Sequence, residues 1–379
     1  MSQAEFMRKV VGQGRLKELF QRLIEGGKLP HALLFYGPEG SGKEAAALEL
    51  GRFLLCQGEN PPCGECPSCH RLQRFEHPDF FHLFPIQSPK GDYERGGWEA
   101  AMSEEQISAY RAEVEKKAGN YYYAMNMPRA QNILIGQVRD LIHKASFTAF
   151  SGDNRFALIS PAQQMNKEAQ NSLLKLLEEP PSGFYICLAT DRPEALLPTT
   201  LSRCQPFYFP PLPAEVIAEG LREVAGAGEA ESRAAAVRAG GSFSRALDIL
   251  KNGEPLRQIA INEILWNMIS KSPLKILDTT RKFQRATEYG DKTIARQLFI
   301  QMERWLRDIE MMDHGLPPRW NGDLLQRLQD FRKTISYSNI AKIRELIMES
   351  VALIDKNVYI DMIYLNLANR IGKMMKRVA

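Results

Sequence analysis

The chain has 379 residues, which is enough for two or three domains with sizeable hydrophobic cores. With 44% hydrophobic and 25% charged residues, no apolar run of membrane-spanning length and a polar start, it is expected to be a cytoplasmic protein without a signal peptide. The formal net charge of +4 is too small to indicate a nucleic-acid-binding protein on its own.

The first predicted elements are a strand, a glycine-rich loop and a helix. Residues 32–36 form a short apolar run of the kind that a buried parallel strand needs, and residues 44–50 have high helix propensity. The segment 37–43 between them has the spacing of a P-loop, whose backbone N–H groups surround the phosphates of a nucleotide while its lysine neutralises their charge. The candidate nucleotide-binding residues are Gly37, Gly40, Gly42 and Lys43.

The residue after the P-loop lysine breaks the pattern. A Ser or Thr hydroxyl at this position normally ligates Mg²⁺, but this chain has Glu44. An acidic residue is also expected at the end of a second strand, where it holds the metal, yet residues 155–160 end in Ser160 and Pro161. We therefore expect no Mg²⁺ site and very poor ATP hydrolysis by the chain alone, while the loop amides and Lys43 leave nucleotide binding open.

Four of the six cysteines lie close together in the sequence, at Cys56, Cys63, Cys66 and Cys69. Clustered thiols seldom form disulfides in a reducing cytosol, and this spacing within tight Gly/Pro turns suits tetrahedral Zn²⁺. The pattern predicts a closed structural zinc site with no open position for catalysis. His70 and His77 lie nearby, but four thiolates already complete the coordination shell, so ordinary polar roles are favoured for both.

The order of elements predicts an α/β domain over residues 1–211. Short apolar strands alternate with helical patterns, which indicates a parallel, doubly wound sheet covered by helices. The predicted strands are 32–36, 79–84, 155–160, 185–190 and 206–209. Residues 165–179 form a strongly amphipathic pattern that stops at Pro180 and Pro181, and this predicts a helix.

Beyond residue 212 the strand signals fade and helical patterns dominate. Glycine turns at 226–228 and 240–241 separate a small helical domain, 212–253, from a larger all-α domain, 254–379. An apolar stripe at three- and four-residue spacing predicts a buried helix face in the second of these. The stripe consists of Ile294, Leu298, Met302, Trp305 and Ile309.

Residues 86–130 interrupt the α/β alternation and are predicted to be a surface insertion. The spacing of Ser103 and Gln106 is that of a capping box, which predicts a charged helix through about Lys117. The tyrosine run 121–123 could stack on bases or on a partner, but packing of the insertion onto the domain is the favoured interpretation.

Several features occur together and in one order along the chain. They are residues 10–13, residues 29–43 with the P-loop, the four-cysteine module, residues 171–181, residues 188–190 and residues 201–204. Together they resemble the subunits of the bacterial replicative clamp loader, an AAA+ family, over residues 1–211. The resemblance implies an AAA+ core, a helical lid at 212–253 and a C-terminal collar at 254–379 through which subunits assemble.

Within that family, gamma and tau subunits keep both metal-binding halves and hydrolyse ATP, whereas delta-prime subunits have lost them. Glu44 and Ser160 favour the delta-prime branch. The partners implied are the gamma/tau and delta subunits of the loader, the sliding clamp and primed DNA. No membrane partner is expected.

The resemblance also implies roles for particular residues. Arg203 matches the family's arginine finger, which reaches the γ-phosphate of ATP held by a neighbouring subunit, and a rigid guanidinium suits that developing charge. Thr190 matches a strand-end position that senses the γ-phosphate. The family's second sensing arginine belongs in a Gly-Ser-x-Arg segment, but Arg245 comes one residue late after Gly241, which further weakens the case for self-contained hydrolysis.

Two other functions stay open beside an ATPase-silent clamp-loader subunit. One is an active gamma/tau-like ATPase, which ATP turnover by the purified chain would reveal. The other is a zinc-containing nucleic-acid-binding protein built on an inactive NTPase core. A salt-dependent DNA affinity of the isolated chain would support the second alternative.

Overall fold

The computed structural model of the chain describes residues 7–87, 102–127, 132–252, 265–268, 292–318, 323–355 and 358–377, together with residues 130, 274 and 278. The chain divides into two compact units, Met1–Leu250 and Lys251–Ala379. No described helix combines the length and the apolar character needed to cross a membrane.

The first unit is built on a five-stranded parallel sheet. Its strands are β1 (Ala32–Tyr36), β2 (Phe80–Leu83), β3 (Arg155–Ile159), β4 (Phe184–Thr190) and β5 (Gln205–Tyr208). The strand order is β2-β3-β4-β1-β5, and every pairing is parallel. The predicted parallel sheet is therefore confirmed, with β1, which leads into the P-loop, between β4 and β5.

Alternation along the strands divides the core into two layers, one on each face of the sheet. On β1, Leu33 and Phe35 belong to one hydrophobic cluster, and Ala32 and Leu34 belong to another. Successive strand side chains point to opposite faces, so a strand that is apolar at every position can be buried on both sides. Helices cover both faces of the sheet.

Among the described residues up to 252, the α-helices are α1 (Gly14–Glu25), α2 (Lys43–Leu55), α3 (Pro67–Gln73), α4 (Glu104–Gly119), α5 (Ile135–Ala145), α6 (Lys167–Glu178), α7 (Pro198–Leu201), α8 (Ala214–Ala225), α9 (Glu229–Ala239) and α10 (Phe243–Asn252). The predicted helix at 165–179 is α6. The side chain of Asn166 caps its N-terminus by accepting a hydrogen bond from the Ala169 N–H, at 2.8 Å.

The described part of the insertion is not confined to the surface. The predicted capping box is present at the start of α4, where the Ser103 side chain accepts from the Gln106 N–H and the Gln106 side chain accepts from the Ser103 N–H. At the other end of α4, Lys117 is buried, and Tyr121 and Tyr122 join the core cluster of the sheet domain. The favoured packing role of these two tyrosines is confirmed, whereas residues 88–101, 128 and 129 lie outside the described residues.

The helices α8, α9 and α10 pack on the same cluster as one face of the sheet. Ile217, Ala236 and Phe243 from the three helices all belong to it. The predicted glycine turns are found at the ends of α8 and α9, where Gly226 and Gly240 have φ angles of 63° and 62°. The lid domain at 212–253 stays a prediction, because up to residue 250 these helices belong to the first compact unit.

The described part of the second unit consists mainly of helices. They are α11 (Lys292–Asp313), α12 (Asp323–Thr334), α13 (Ile340–Asp355) and α14 (Ile360–Met374). Four members of the predicted stripe on α11 are buried, namely Leu298, Met302, Trp305 and Ile309. The side chain of Ile294 lies outside the described residues.

The second unit also contains strands that the sequence did not predict, so its expected all-α character needs correction. The strands β6 (Ile335–Tyr337) and β7 (Met375–Arg377) pair antiparallel. Each has three residues and directly follows a helix, α12 or α14. Three residues are too few to show alternation, and no turn signal separates the strand from its helix.

Candidate functional site

The P-loop lies between the end of β1 and the start of α2. The Gly37 N–H donates to the Thr190 carbonyl at the end of β4, at 3.2 Å. Gly40 and Gly42 have φ angles of 75° and 94°, which residues with a side chain rarely adopt. Strand, glycine loop and helix are thus arranged as a phosphate-binding loop requires.

The P-loop lysine is folded back on its own loop. Lys43 is only 8% exposed, and its Nζ donates to the Pro38 carbonyl at 3.2 Å. Burial lowers the pKa of this ammonium group, partly offset by the nearby Glu44 carboxylate. The lysine is therefore held within the loop by protein groups.

Glu44 and Ser160, the two residues that break the metal-site pattern, are in direct contact. The Ser160 hydroxyl donates to Oε1 of Glu44, and Lys117 Nζ donates to Oε2 of the same carboxylate. Lys117 comes from the end of α4, and its side chain is 1% exposed. Sequence reasoning paired Glu44 with Ser160 but missed Lys117, because a lysine in a charged helix is usually solvated.

The electrostatics of this cluster keep the carboxylate ionised. Burial disfavours the charge of Glu44, but the Lys117 ammonium and the hydrogen bonds from Lys117 and Ser160 outweigh it and lower the pKa of Glu44 to about 2. Burial and the Lys117 charge lower the pKa of the neighbouring His82 to about 3, so this ring is neutral. The cluster pairs the buried Lys117 ammonium with the partly exposed Glu44 carboxylate, which also accepts from the Ser160 hydroxyl.

A tyrosine of the insertion lies against the glycine that precedes α2. A β-carbon placed on Gly42 would lie 3.2 Å from the Tyr122 hydroxyl. That hydroxyl accepts a hydrogen bond from the Val11 N–H at 2.7 Å, and the Tyr122 ring meets Phe243 edge-on with a centroid distance of 4.6 Å. The P-loop is therefore bordered by a residue for which sequence reasoning favoured packing over stacking on bases or on a partner.

The start of α10 covers another part of the P-loop. The Phe243 N–H donates to the Gly40 carbonyl at 2.9 Å, and a β-carbon on Gly40 would collide with the hydroxyl oxygens of Ser242 and Ser244. Arg245, the late-placed candidate for phosphate sensing, lies in the first turns of this helix. The glycine at position 40 is required by this close approach as well as by its φ angle.

Thr190 lies at the end of β4 and is fully buried. Its hydroxyl donates to Oε1 of Gln163 at 2.7 Å and accepts from the Arg192 N–H at 3.1 Å. Both hydrogen-bonding roles of this hydroxyl are filled by protein groups. Gln163 also donates to the Asp191 carboxylate.

Arg203 lies apart from this hydrogen-bonded cluster, in the turn between α7 and β5. Its guanidinium pairs with the Glu178 carboxylate at the end of α6 and donates to the Thr199 carbonyl at 2.9 Å. The side chain is 32% exposed, and that of Glu178 is 47% exposed. The pair therefore lies at the protein surface, where a second molecule can reach it.

The four clustered cysteines come together as the sequence predicted. Their sulfur atoms all lie within 4.8 Å of one another, with separations of 3.5 Å for Cys56 and Cys63 and 4.0 Å for Cys63 and Cys69. Backbone N–H groups point at three of the sulfurs, including Cys69 N–H to Cys66 Sγ at 3.4 Å. Neither His70 nor His77 belongs to this group among the described residues.

His77 instead links this module to the sheet. It is buried, with its Nε2 atom 2.9 Å from the Ser68 hydroxyl, while its Nδ1 atom accepts from the Asp79 N–H at 3.1 Å. Because Nδ1 accepts, the proton of the neutral ring is on Nε2, which then donates to the serine. A structural role for this histidine follows, in agreement with the favoured interpretation of the sequence.

Comparisons with known proteins match the N-terminal part of the chain. A model of the family described as "DNA polymerase III, delta subunit" matches residues 12–213. The chain is 32% identical over 212 residues to DNA polymerase III subunit delta' of Bacillus subtilis, covering 56% of this chain and 51% of that protein. It is 34% identical over 176 residues to subunit delta' of Pseudomonas aeruginosa, covering 46% and 41%.

A more distant relative is DNA polymerase III subunit tau of Bacillus subtilis. It is 24% identical over 217 residues, covering 57% of this chain and 31% of that protein. The chain spans about half the length of the curated delta' relatives that it matches.

Proposed function

Because the chain belongs to the DNA polymerase III delta subunit family, we propose that it is an ATPase-silent AAA+ subunit of the replicative clamp loader. The Lys117–Glu44–Ser160 cluster carries this proposal, because positions 44 and 160 are those at which a P-loop NTPase is expected to carry its metal-binding groups, and here they bind each other and a lysine. The chain assembles in the cytoplasm with gamma/tau and delta subunits and helps to load the sliding clamp onto primed DNA. Its relatives, named delta' and tau, support this assignment.

Silence follows from charge and from ligand chemistry. Mg²⁺ in such sites needs oxygen ligands from the Ser/Thr after the P-loop lysine and from an acid at the second strand end. Here the carboxylate at position 44 is already neutralised by the Lys117 ammonium. The phosphoryl transition state would lose the cation that offsets its developing charge.

The test is ATP turnover by the purified full chain. We expect none above background, and we expect Lys43→Met to change nothing. Robust turnover that Lys43→Met abolishes would contradict the proposal and favour an active gamma/tau-like subunit.

Arg203 is proposed to act on a neighbouring subunit. It is partly exposed and held by Glu178 and the Thr199 carbonyl, so its position is defined before a partner binds. An always-charged planar guanidinium suits the equatorial oxygens of a transferring phosphoryl group. In the assembled loader it would leave Glu178 and contact the γ-phosphate held by that neighbour.

The four cysteines are proposed to hold a structural zinc ion. Tetrahedral Zn²⁺ with Zn–S bonds of about 2.3 Å requires sulfur separations of about 3.8 Å. The separations of 3.5 and 4.0 Å, and the N–H groups directed at the sulfurs, fit that requirement. The residues that would hold the ion are Cys56, Cys63, Cys66 and Cys69.

Metal analysis of protein prepared without chelators tests the zinc site. We expect about one zinc per chain, and we expect Cys66→Ser to reduce both the zinc content and the stability of the first unit. Cys187→Ser, at a buried cysteine outside the cluster, is the matched control for zinc content. Wild-type protein without zinc would refute this part of the proposal.

A further inference from the structure

We propose that residues 117–123 of the insertion, here called the plug, occupy the nucleotide site of this chain and exclude ATP from it. The inference rests on the assignment of residues 37–43 as a P-loop, and it goes beyond the proposed function. A silent subunit can still bind a nucleotide without hydrolysing it. A plugged one cannot.

The first part of the argument is the position of the Lys117 ammonium. In a working P-loop site, a divalent cation lies beside the residue that follows the P-loop lysine. Here Lys117 Nζ contacts the carboxylate of that residue, Glu44, and donates to the Tyr123 carbonyl at 2.7 Å. An internal positive charge therefore takes the place of the metal cation, and a second cation beside it would be repelled.

The second part is the position of the Tyr122 ring. Phosphates bind at the N-terminus of the helix after a P-loop, where backbone N–H groups converge. The Tyr122 hydroxyl lies against Gly42, the residue that precedes α2, and is fixed there by the Val11 N–H. A nucleotide whose phosphates were held at the start of α2 would therefore meet this phenol beside Gly42.

The third part is the closure of the loop by α10. Phe243 contacts both the P-loop and the plug. Its N–H donates to the Gly40 carbonyl, and its ring packs on Tyr122. Both rings are buried. The loop, the plug and α10 thus form one packed unit, and a nucleotide could enter only if they separate.

The plug also has its own anchor within the insertion. Glu113 on α4 accepts hydrogen bonds from the Tyr123 hydroxyl at 2.9 Å and from the Asn126 N–H at 2.6 Å. The Tyr122 N–H donates to the Asn120 side chain at 3.0 Å. These bonds hold the segment in a defined shape, which gives the insertion a role that its sequence did not reveal.

Calorimetric titration of the full chain with Mg²⁺·ATP tests the plug. Wild-type protein should show no binding at about 1 mM nucleotide. The double variant Lys117→Ala, Tyr122→Ala should bind with an affinity at least about tenfold tighter than that detection limit. Lys116→Ala is the matched control, because that lysine neighbours Lys117 but is 56% exposed. Wild-type binding that Lys43→Met abolishes would overturn the inference, and so would a folded double variant that still fails to bind.

A second measurement needs no substitution and decides the question if the double variant does not fold. Acetylation by an amine-reactive probe, read by mass spectrometry, should modify Lys117 at least about tenfold more slowly than Lys116, since Lys117 becomes accessible only through local opening. Mg²⁺·ATP should leave the Lys117 rate unchanged. Equal rates for the two lysines, or faster acetylation of Lys117 with ATP, would overturn the plug.

The two proposals fail in different ways. A chain that binds ATP without hydrolysing it refutes the plug and leaves the silent subunit intact. A chain that hydrolyses ATP refutes both.

Discussion

The candidate nucleotide site and the surface around Arg203 use the same kind of ion pair in opposite settings. At the first, Lys117 is 1% exposed and pairs with Glu44. At the second, Arg203 is 32% exposed and pairs with Glu178. Desolvated charges depend strongly on their partner, whereas exposed charges can exchange a partner for water or for another molecule at little cost.

This difference separates a fixed interior from an available surface. At the candidate nucleotide site, the Glu44 carboxylate is neutralised by a lysine that is itself buried. The guanidinium that could serve another subunit's chemistry is held at the surface by a replaceable contact. Replacing one partner of each pair tests this difference.

The largest effect on stability is expected from Glu44→Ala. Removal of this carboxylate leaves the buried Lys117 ammonium without its partner, and breaking such a pair costs about 3–5 kcal/mol; the low end applies here because Glu44 is partly exposed. Urea unfolding of the full chain measures the change. A loss below about 1 kcal/mol, the value typical of a surface pair, would mean that the cluster is not a desolvated pair.

Acid should weaken the same region in a defined pH range. The pKa of Glu44 is lowered from 4.5 to about 2, so its ionised form stabilises the fold fully above about pH 4.5, and this contribution is lost as the pH falls towards 2. The difference in free energy of unfolding between wild type and Glu44→Gln should therefore shrink between pH 5 and pH 3. A difference that stays constant over that range would show that Glu44 does not titrate as its surroundings require.

The smallest effect on stability is expected from Glu178→Ala. Its pair with Arg203 lies at the surface, where such pairs contribute about 0–1 kcal/mol. The same unfolding measurement should show a change within that range, which makes this variant the matched control for Glu44→Ala. A loss as large as that of Glu44→Ala would remove the contrast between the two regions.

The sequence predicted much of the sheet domain because its signals are local. The apolar run 32–36, the glycine loop and the proline stop after α6 each specify a short segment, and the structure confirms all three elements. The family match confirms the resemblance to clamp-loader subunits that the order of motifs suggested. The zinc ion and the role of Arg203 stay predictions.

The plug could not be predicted, because it depends on contacts between distant residues. Lys117 is 73 positions away from Glu44 in the sequence, and nothing in the charged helix α4 marks this lysine as the buried one. Tyr122 reaches Val11 across 111 positions. The sequence showed that positions 44 and 160 lack the expected metal ligands. It could not show which residues lie beside the P-loop instead.

The most direct test of the account compares two variants within a reconstituted clamp loader. Lys43→Met should leave DNA- and clamp-stimulated ATP turnover unchanged, because this chain's own P-loop is closed. Arg203→Ala should lower it while assembly stays intact, since loss of an arginine finger costs roughly 10³-fold or more at the affected site, and Arg203→Lys should restore little. Total turnover should fall only in part if other sites in the loader remain active. Lower turnover with Lys43→Met and normal turnover with Arg203→Ala would contradict the account.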